Sequence, residues 1–377
     1  MSRLNRKWLL WMVVLWLVCL DVGVAAASDR MQEGAAPWVQ WLLEGIRSIE
    51  GIDVCGEPVP LGNPEVRERF EREMLLMLGD PAQVVLWLKR GARYFPEIES
   101  TLAERRLPSD LKFIPVIESA FLPHAGSSKG AVGHWQFISE TGKRHGLNIT
   151  ADVDERRNPV AATRAALDYL TALYREFGAW SLAAAAYNMG EEGLRTEIFL
   201  QDCRDFYQLH LPQETQRYVL RLAAAKAILT RPERFGFVLK PEDLYPPLVT
   251  QQLKVELEQP VSVLLIARAA RTSYKTIRDL NPEIRGYVLP SGFHALTLPP
   301  EGAAGFPERL KTMLIQAEGG SGNIHIVQKG ETLSGIAKKY GIPVKALAIL
   351  NRLDMNKTLV PGERLRLSPT AEPSSLR

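Results

Sequence analysis

The stretch IPVIESAF, residues 114–121, contains the most informative acid of the chain. Glu118 stands among apolar neighbours near the end of a predicted helix. Burial there would disfavour the charged carboxylate and raise its pKa. A carboxylic acid that keeps its proton near neutral pH can donate that proton to a leaving-group oxygen. The ordinary alternative is a solvated glutamate at a helix end, and Glu118 by itself does not decide between the two.

A loop rich in glycine and serine follows this helix. Residues 125–137 read AGSSKGAVGHWQF, and glycines allow a backbone to approach a ligand closely. Ser127 and Gln136 have side chains that can hydrogen-bond a sugar. The aromatic residues of the loop are more typical of a hydrophobic core than of a sugar platform.

Two later segments add polar residues to predicted helices. Residues 183–190, AAAAYNMG, place small residues before Tyr187 and Asn188, and residues 214–219, ETQRYV, include Tyr218. Taken alone, Asn188 is an ordinary residue for a helix C-terminus. Tyr218 alone is typical of a core.

Together the four segments, which occur in order between residues 118 and 219, resemble the lytic transglycosylases with a goose-type lysozyme-like (SLT) catalytic domain. The resemblance implies a mainly α-helical lysozyme-like domain in which Glu118 is the catalytic acid and base. It also implies a set of side chains along the sugar groove: Ser127, Gln136, Tyr187, Asn188 and Tyr218. This family usually has an aliphatic residue where the chain has His134, for which we expect packing or a local hydrogen bond rather than catalysis.

Apolar spacing and the positions of proline predict the helices of a catalytic domain over residues 63–235. A loosely structured N-terminal arm is expected over 28–62. Pro96 is expected to open a separate helix, and Pro115 to weaken or kink the helix before Glu118. The predicted helices are 64–78, 81–92, 96–107, 108–117, 159–177, 181–188 and 213–229.

The C-terminal part contains an internal repeat of the pattern strand, helix, helix, strand. The clear copy occupies 323–368, and a degenerate copy occupies 250–300. The clear copy resembles LysM modules, which bind glycans that contain N-acetylglucosamine. The resemblance implies glycan-binding residues in its turn and after its second helix: Gly330, Glu331, Thr332, Leu333 and Asn351. The degenerate copy lacks that turn, and its sugar binding is open.

The predicted fold class is therefore multidomain, a mainly α-helical lysozyme-like domain followed by small α+β (βααβ) LysM modules. Residues 301–322 end in Gly-Gly-Ser-Gly and are expected to form a flexible linker. Residues 369–377 are expected to be a disordered tail. Residues 1–27 have a basic start, an apolar run and a small-residue end, which indicates a signal peptide and export to the periplasm. An uncleaved segment would instead associate the chain with the membrane.

Composition excludes some classes of protein. The net charge is +3, with no clustered basic face of the kind that binds nucleic acid. The spacing of cysteine and histidine predicts no metal site, and we expect no cofactor. Cys55 and Cys203 could pair or remain separate thiols. The sequence gives no indication of the oligomeric state.

The predicted partner is the peptidoglycan glycan strand. Glycosidases ordinarily use two carboxylates, whereas the matched segments are taken to supply Glu118 alone, which suits a transglycosylase. Two alternatives stay open, a hydrolytic muramidase on the same fold and a non-catalytic LysM protein that binds the wall.

Overall fold

The computed structural model describes residues 37–319 and 324–368. The predicted signal peptide (1–27) and tail (369–377) lie outside the described residues. Buried hydrophobic side chains form three cores, one in a helical region and one in each C-terminal repeat. The predicted fold class is confirmed.

Helix starts in the helical region follow the capping residues of the sequence. Asn63 caps Pro64–Leu78 by accepting a hydrogen bond from the Glu65 amide, and Asn158 caps Pro159–Phe177 in the same way. Both helices have the predicted bounds. The helices are α1 (Pro37–Arg47), α2 (Pro64–Leu78), α3 (Pro81–Arg105), α4 (Ile114–Ser119), α5 (Ser139–Arg144), α6 (Pro159–Phe177), α7 (Trp180–Met189), α8 (Glu191–Gln201) and α9 (Gln213–Thr230).

Of the two proline predictions, that for Pro96 was wrong and that for Pro115 was confirmed. Pro96 lies inside α3, which runs unbroken to Arg105. A proline removes one backbone donor from a helix, and the burial of Trp87 and Leu102 on either side compensates for that loss. The helix predicted over 108–117 is interrupted at Pro115, as expected. A 3₁₀ helix, Ser109–Phe113, gives way there to α4, and Pro115 lies in the first turn of α4, where its missing N–H costs nothing.

The segment expected to be a loose arm is ordered where it is described. It forms α1 and a small hairpin of β1 (Asp53–Val54) and β2 (Glu57–Pro58), and it buries Ile46 and Leu61 in the core of the helical region. Glu57 accepts hydrogen bonds from the Trp180 and Ser181 amides at the start of α7. The hairpin therefore caps the helix that carries Tyr187 and Asn188.

Helix α9 lies at the centre of the helical region. It packs against α2, α4 and α7, and its small residues Ala223, Ala224 and Ala225 are fully buried. Small side chains allow the neighbouring helices to approach closely. Short 3₁₀ helices connect the longer elements at Ser109–Phe113, Glu155–Arg157, Pro232–Phe235 and Pro241–Asp243.

The two C-terminal repeats share a strand–helix–helix–strand plan. In the first repeat, β3 and β6 pair antiparallel, and β4 pairs with β5. In the second, β7 pairs antiparallel with β8. The elements of the first repeat are β3 (Gln251–Leu257), β4 (Val261–Ser262), α10 (Val263–Ala269), α11 (Tyr274–Leu280), β5 (Val288–Leu289) and β6 (Gly292–Leu298). Two helices, α12 (Pro300–Ala303) and α13 (Phe306–Gly319), follow the first repeat. The elements of the second repeat are β7 (Ile324–Ile326), α14 (Leu333–Tyr340), α15 (Val344–Leu350) and β8 (Arg364–Arg366).

Residues 301–322 were expected to be a flexible linker, and this prediction was wrong for most of the segment. Helices α12 (Pro300–Ala303) and α13 (Phe306–Gly319) occupy most of its described residues, 301–319. Phe306 and Leu310, spaced by one helical turn, are buried in the core of the first repeat. None of the described helices is long and apolar enough to span a bilayer.

Candidate active site

A cleft of about 930 Å³ opens on one side of the helical region. Five of the six predicted site residues line it: Glu118, Ser127, Gln136, Tyr187 and Asn188. They come from α4, the loop after it and α7, so the fold gathers segments that are far apart in the sequence.

Glu118 is fixed by the way α4 ends. Ala120 and Phe121 both adopt the left-handed backbone conformation, which stops the helix just after Ser119. The Ser119 hydroxyl donates to the backbone oxygens of Pro115 and His134. The end of α4 is thereby tied to the cleft loop, and Glu118 is held where it lines the cleft.

The Glu118 carboxyl group is half-buried and accepts a hydrogen bond of 2.6 Å from the Tyr218 hydroxyl. Burial raises its pKa from 4.5 to about 7, and nearby Glu214 contributes in the same direction. The Tyr218 hydrogen bond and the charge of Arg221 oppose this rise. Near neutral pH a large share of Glu118 therefore carries a proton, which a general acid requires.

Tyr218 was expected to line the groove, and the structure corrects this. Its side chain is buried in the core behind Glu118 and is not part of the cleft wall. Its hydroxyl reaches the carboxyl group from the protein side. Tyr218 supports the acid rather than touching the space in front of it.

The cleft loop, residues 125–137, is held by its own polar groups. Ser127 accepts a hydrogen bond from the Ala131 amide, and the Gln136 side chain donates to the Gly133 oxygen at 2.7 Å. Gln136 has a positive φ of 49°, a strained geometry for a residue with a side chain. These contacts use part of the capacity of both side chains for hydrogen bonds.

The other wall of the cleft comes from α7 and α9. The Tyr187 hydroxyl donates to the Trp135 backbone oxygen at 2.7 Å, which joins α7 to the cleft loop. The Asn188 side-chain oxygen accepts a hydrogen bond from Thr215 at 2.8 Å. Tyr187 and Asn188 therefore keep their positions through contacts with both neighbouring elements.

His134 packs in the core beside the cleft. Its ring lies 4.7 Å from that of Tyr94 and 6.0 Å from that of Phe121, both edge-on. Burial lowers its pKa to about 4, so it is neutral near pH 7. The neutral ring fills a space between aromatic side chains and does not reach the cleft.

Glu118 is not the only acid of the cleft, which corrects the expectation that the matched segments supply a single one. Glu140, Glu191, Glu192 and Glu214 also line the wall, and Glu214 belongs to the fourth matched segment. Burial alone would raise the pKa of Glu191, but hydrogen bonds from Tyr169 and Arg144 bring it down to about 2. Glu191 is thus a permanent carboxylate.

Sequence reasoning missed residues that act through Glu118. Arg221 donates to the Ile117 backbone oxygen at 2.9 Å and lowers the pKa of Glu118. It lies one helical turn after Tyr218, so the shared helix face was a usable signal. Arg144 and Tyr169, which act on Glu191 instead, left no such signal in the sequence, because they contact Glu191 only in the folded chain.

The predicted glycan-binding residues of the second repeat lie apart from this cleft. Thr332 caps α14 by accepting from the Gly335 amide, Leu333 is buried, and Gly330 has a φ of 87°. The Asn351 amide group bonds to the Leu347 oxygen and to both backbone groups of Arg366. Glu331 accepts from the Gln328 amide and pairs with His325 at 2.6 Å.

Among the described residues, no group of three or more histidine, cysteine or acidic side chains could hold a metal ion. Cys55 and Cys203 are both free thiols in the structure.

Comparison with known proteins gives two matches to family models. The model described as the transglycosylase SLT domain matches residues 95–208, and the LysM domain model matches residues 325–368. The membrane-bound lytic murein transglycosylase D of Escherichia coli (strain K12) is 32% identical over 346 residues, which is 87% of this chain and 75% of that protein. The resemblance inferred from the sequence segments is confirmed.

Two solved structures are also similar. An inactive mutant of the lytic transglycosylase Slt from Pseudomonas aeruginosa is 24% identical, with a TM-score of 0.31 over 40% of this chain and 26% of that one. The 70 kDa soluble lytic transglycosylase of Escherichia coli is 17% identical, with a TM-score of 0.35 over 65% of this chain and 49% of that one. The chain thus spans half or less of either solved protein.

Proposed function

Because this chain belongs to the family of membrane-bound lytic murein transglycosylase D, we propose that it cuts peptidoglycan glycan strands by a lytic transglycosylase reaction. The bond cleaved is the β-1,4 link between N-acetylmuramic acid and N-acetylglucosamine. One observation carries the proposal. The half-buried Glu118 carboxyl group lines the large cleft with its pKa raised to about 7.

Glu118 acts first as the general acid. Tyr218 occupies one carboxyl oxygen, Oε1, which leaves Oε2 for the bridging oxygen of the glycan. Protonation of that oxygen breaks the bond to the anomeric carbon of the muramoyl residue. The acetamido group of the substrate stabilises the positive charge that develops on the sugar.

Glu118 then acts as the base. It takes the proton from the 6-hydroxyl group of the muramoyl residue, and the oxygen of that group closes onto the anomeric carbon. The product is a 1,6-anhydromuramoyl end, and no water is consumed. The Tyr218 hydrogen bond and the Arg221 charge stabilise the carboxylate that exists between the two steps.

The remaining residues have binding roles in this proposal. Ser127, Gln136, Tyr187 and Asn188 contact the glycan along the cleft walls. The second repeat binds N-acetylglucosamine units and keeps the enzyme on its polymer, through the segment from Gly330 to Leu333 and the region of Asn351. The protein is exported to the periplasm, where this substrate lies.

The experiment is product analysis on isolated sacculi, with wild type and Glu118→Gln. Mass spectrometry of the released fragments should show anhydromuramoyl ends for wild type, and the variant should release them about a thousandfold more slowly. Reducing ends instead of anhydro ends would establish the hydrolytic alternative. Clearing of the wall by the variant would remove Glu118 from the mechanism.

A further inference from the structure

The first repeat is joined to the helical region by backbone hydrogen bonds. The Asp154 amide donates to the Glu283 oxygen at 2.8 Å, and the Arg285 amide donates to the Asp152 oxygen at 2.7 Å. These bonds link two short segments that are far apart in the sequence. The repeat is therefore attached through its main chain as well as through side chains.

Val153, between those two anchor points, completes the core of the repeat. It pairs with Ile284 in an isolated antiparallel bridge. Val153 is 3% exposed, and its neighbours are the buried side chains of the first repeat rather than those of the helical region. A residue of the catalytic domain is thus part of the hydrophobic core of the repeat.

The same segment supports the cleft loop through Arg156. The guanidinium group pairs with both oxygens of Asp154 at 2.8 Å. Its Nη1 also donates to the Gly130 oxygen at 2.9 Å and to the Phe137 oxygen at 3.1 Å. Arg156 and Asp154 are both buried, so one side chain holds two points of the loop that lines the cleft.

The loop also presses directly on this segment. Gly133 has a φ of 85°, and a Cβ atom at that position would lie 1.8 Å from the Arg156 backbone oxygen. Only glycine permits such an approach. The position of the loop therefore depends on where residues 154–156 are held.

The corresponding positions of the two repeats differ in their exposure to solvent. Asn281 and Asn351 make the same bonds to the backbone of the following strand. The residues after Asn281 are buried, and Ile284 among them pairs with Val153. Arg352 and Asp354 after Asn351 are exposed, and Arg352 reaches the same segment only through an ion pair with Asp152 at 3.4 Å. The position after the shared asparagine contact is therefore buried against residues 152–154 in the first repeat and solvent-exposed in the second.

We propose that the first repeat is an internal brace of the active site, in which its docking on residues 152–154 holds Arg156 and thereby the cleft loop. Arg156 is a positioning residue, since it acts on the glycan through Gly130 and Phe137. The kinetic consequence rests on the proposed function. The structural consequence, that the docked repeat holds the cleft loop in place, is independent of the proposed function.

The test begins with Val153→Ala in the full chain. We expect the KM for wall glycan to rise about three- to tenfold with kcat within about twofold of wild type, because the loop is displaced but Glu118 is not. The control is Val255→Ala, the same truncation in the same core, on β3 and away from the junction. It should leave both constants near wild type.

Hydrogen exchange of the backbone amides gives a readout independent of catalysis. In Val153→Ala, residues 126–137 should exchange about tenfold faster, while Val255→Ala leaves them unchanged. A residue that merely stabilised the repeat would lower the melting temperature without this local effect.

A third variant tests the route. Arg156→Lys keeps the charge beside Asp154 but loses the fork that reaches Gly130 and Phe137, so its KM should rise about tenfold. In the double variant with Val153→Ala the KM should be no higher than in Arg156→Lys alone, because both changes act on one path.

Unchanged loop exchange in Val153→Ala, or effects of the two changes on KM that multiply, would overturn the brace. An effect of Val255→Ala equal to that of Val153→Ala would also overturn it. Failure of wild type to form anhydro ends would instead overturn the proposed function and leave the exchange result to stand.

Discussion

Glu118 in the cleft and Glu283 at the junction with the first repeat have the same titration behaviour. Burial raises the pKa of each from 4.5 to about 7. For Glu283 a hydrogen bond from Asn158 opposes the rise and the charge of Glu155 adds to it. A raised pKa therefore does not separate the two regions.

Access separates them. Glu118 faces the cleft and has Tyr218 behind it to stabilise its charged form. Glu283 is 5% exposed, and its Oε2 has no hydrogen-bond partner among the described residues. The comparison teaches that desolvation keeps a carboxyl group protonated near neutral pH. Catalysis requires in addition an open path to the substrate and groups that stabilise the carboxylate.

The largest difference should appear in activity. Glu118→Gln removes the transferable proton, so the rate of anhydro-end formation should fall about a thousandfold. Glu283→Gln, the same change at the matched site, should keep the rate within about threefold of wild type. The rates would be measured by release of soluble fragments from sacculi, and equal losses in the two variants would break the comparison.

The second difference should appear in stability against pH. The folded state holds the Glu283 proton more tightly than the unfolded state, so its contribution is full below pH 4.5 and is lost as pH rises through about 7. The loss amounts to about 3 kcal/mol. Denaturant unfolding should show that Glu283→Gln falls less than wild type between about pH 5 and about pH 8. Parallel curves for the two proteins would contradict a buried titrating carboxyl group at the junction.

Tyr218→Phe should lower activity because it removes the hydrogen bond from the Tyr218 hydroxyl to the Glu118 carboxyl group. The hydroxyl stabilises the carboxylate, so kcat should fall about ten- to a hundredfold. The same loss raises the pKa of Glu118, and the alkaline limb of the pH–rate profile should move to higher pH. A limb that stays in place would mean that another group controls it.

Glu214→Gln should have the smallest effect and sharpens the choice between reactions. Glu214 raises the pKa of Glu118, so its neutralisation should move the alkaline limb slightly to lower pH. Its exposed pair with Lys129, at 3.3 Å, adds little to stability. We expect kcat to fall no more than about threefold, whereas a second catalytic carboxylate would cost about a hundredfold.

The sequence predicted elements whose signals are local. The bounds of α2 and α6 follow from an asparagine cap and a proline in the first turn. Glu118 was found because four ordered segments resemble one family. Pro96 misled because its local cost is outweighed by the packing of a long helix, which local signals do not contain.

The residues that sequence reasoning missed act over long separations. Arg156 reaches the cleft loop, Glu57 caps α7, and Glu283 docks the repeat, each through contacts that only the folded chain creates. Phe306 was hidden in a segment whose Gly-Gly-Ser-Gly end suggested a linker. No period or motif marks such partners in a single sequence.

The most direct test of the central claim is digestion of sacculi in water enriched in ¹⁸O, followed by mass spectrometry of the muramoyl ends. If Glu118 takes the proton of the muramoyl 6-hydroxyl group and that oxygen closes onto the anomeric carbon, the ends formed by wild type are anhydro and carry no label. New reducing ends in place of anhydro ends, each heavier by one molecule of labelled water, would show that water attacks the sugar and would contradict the account.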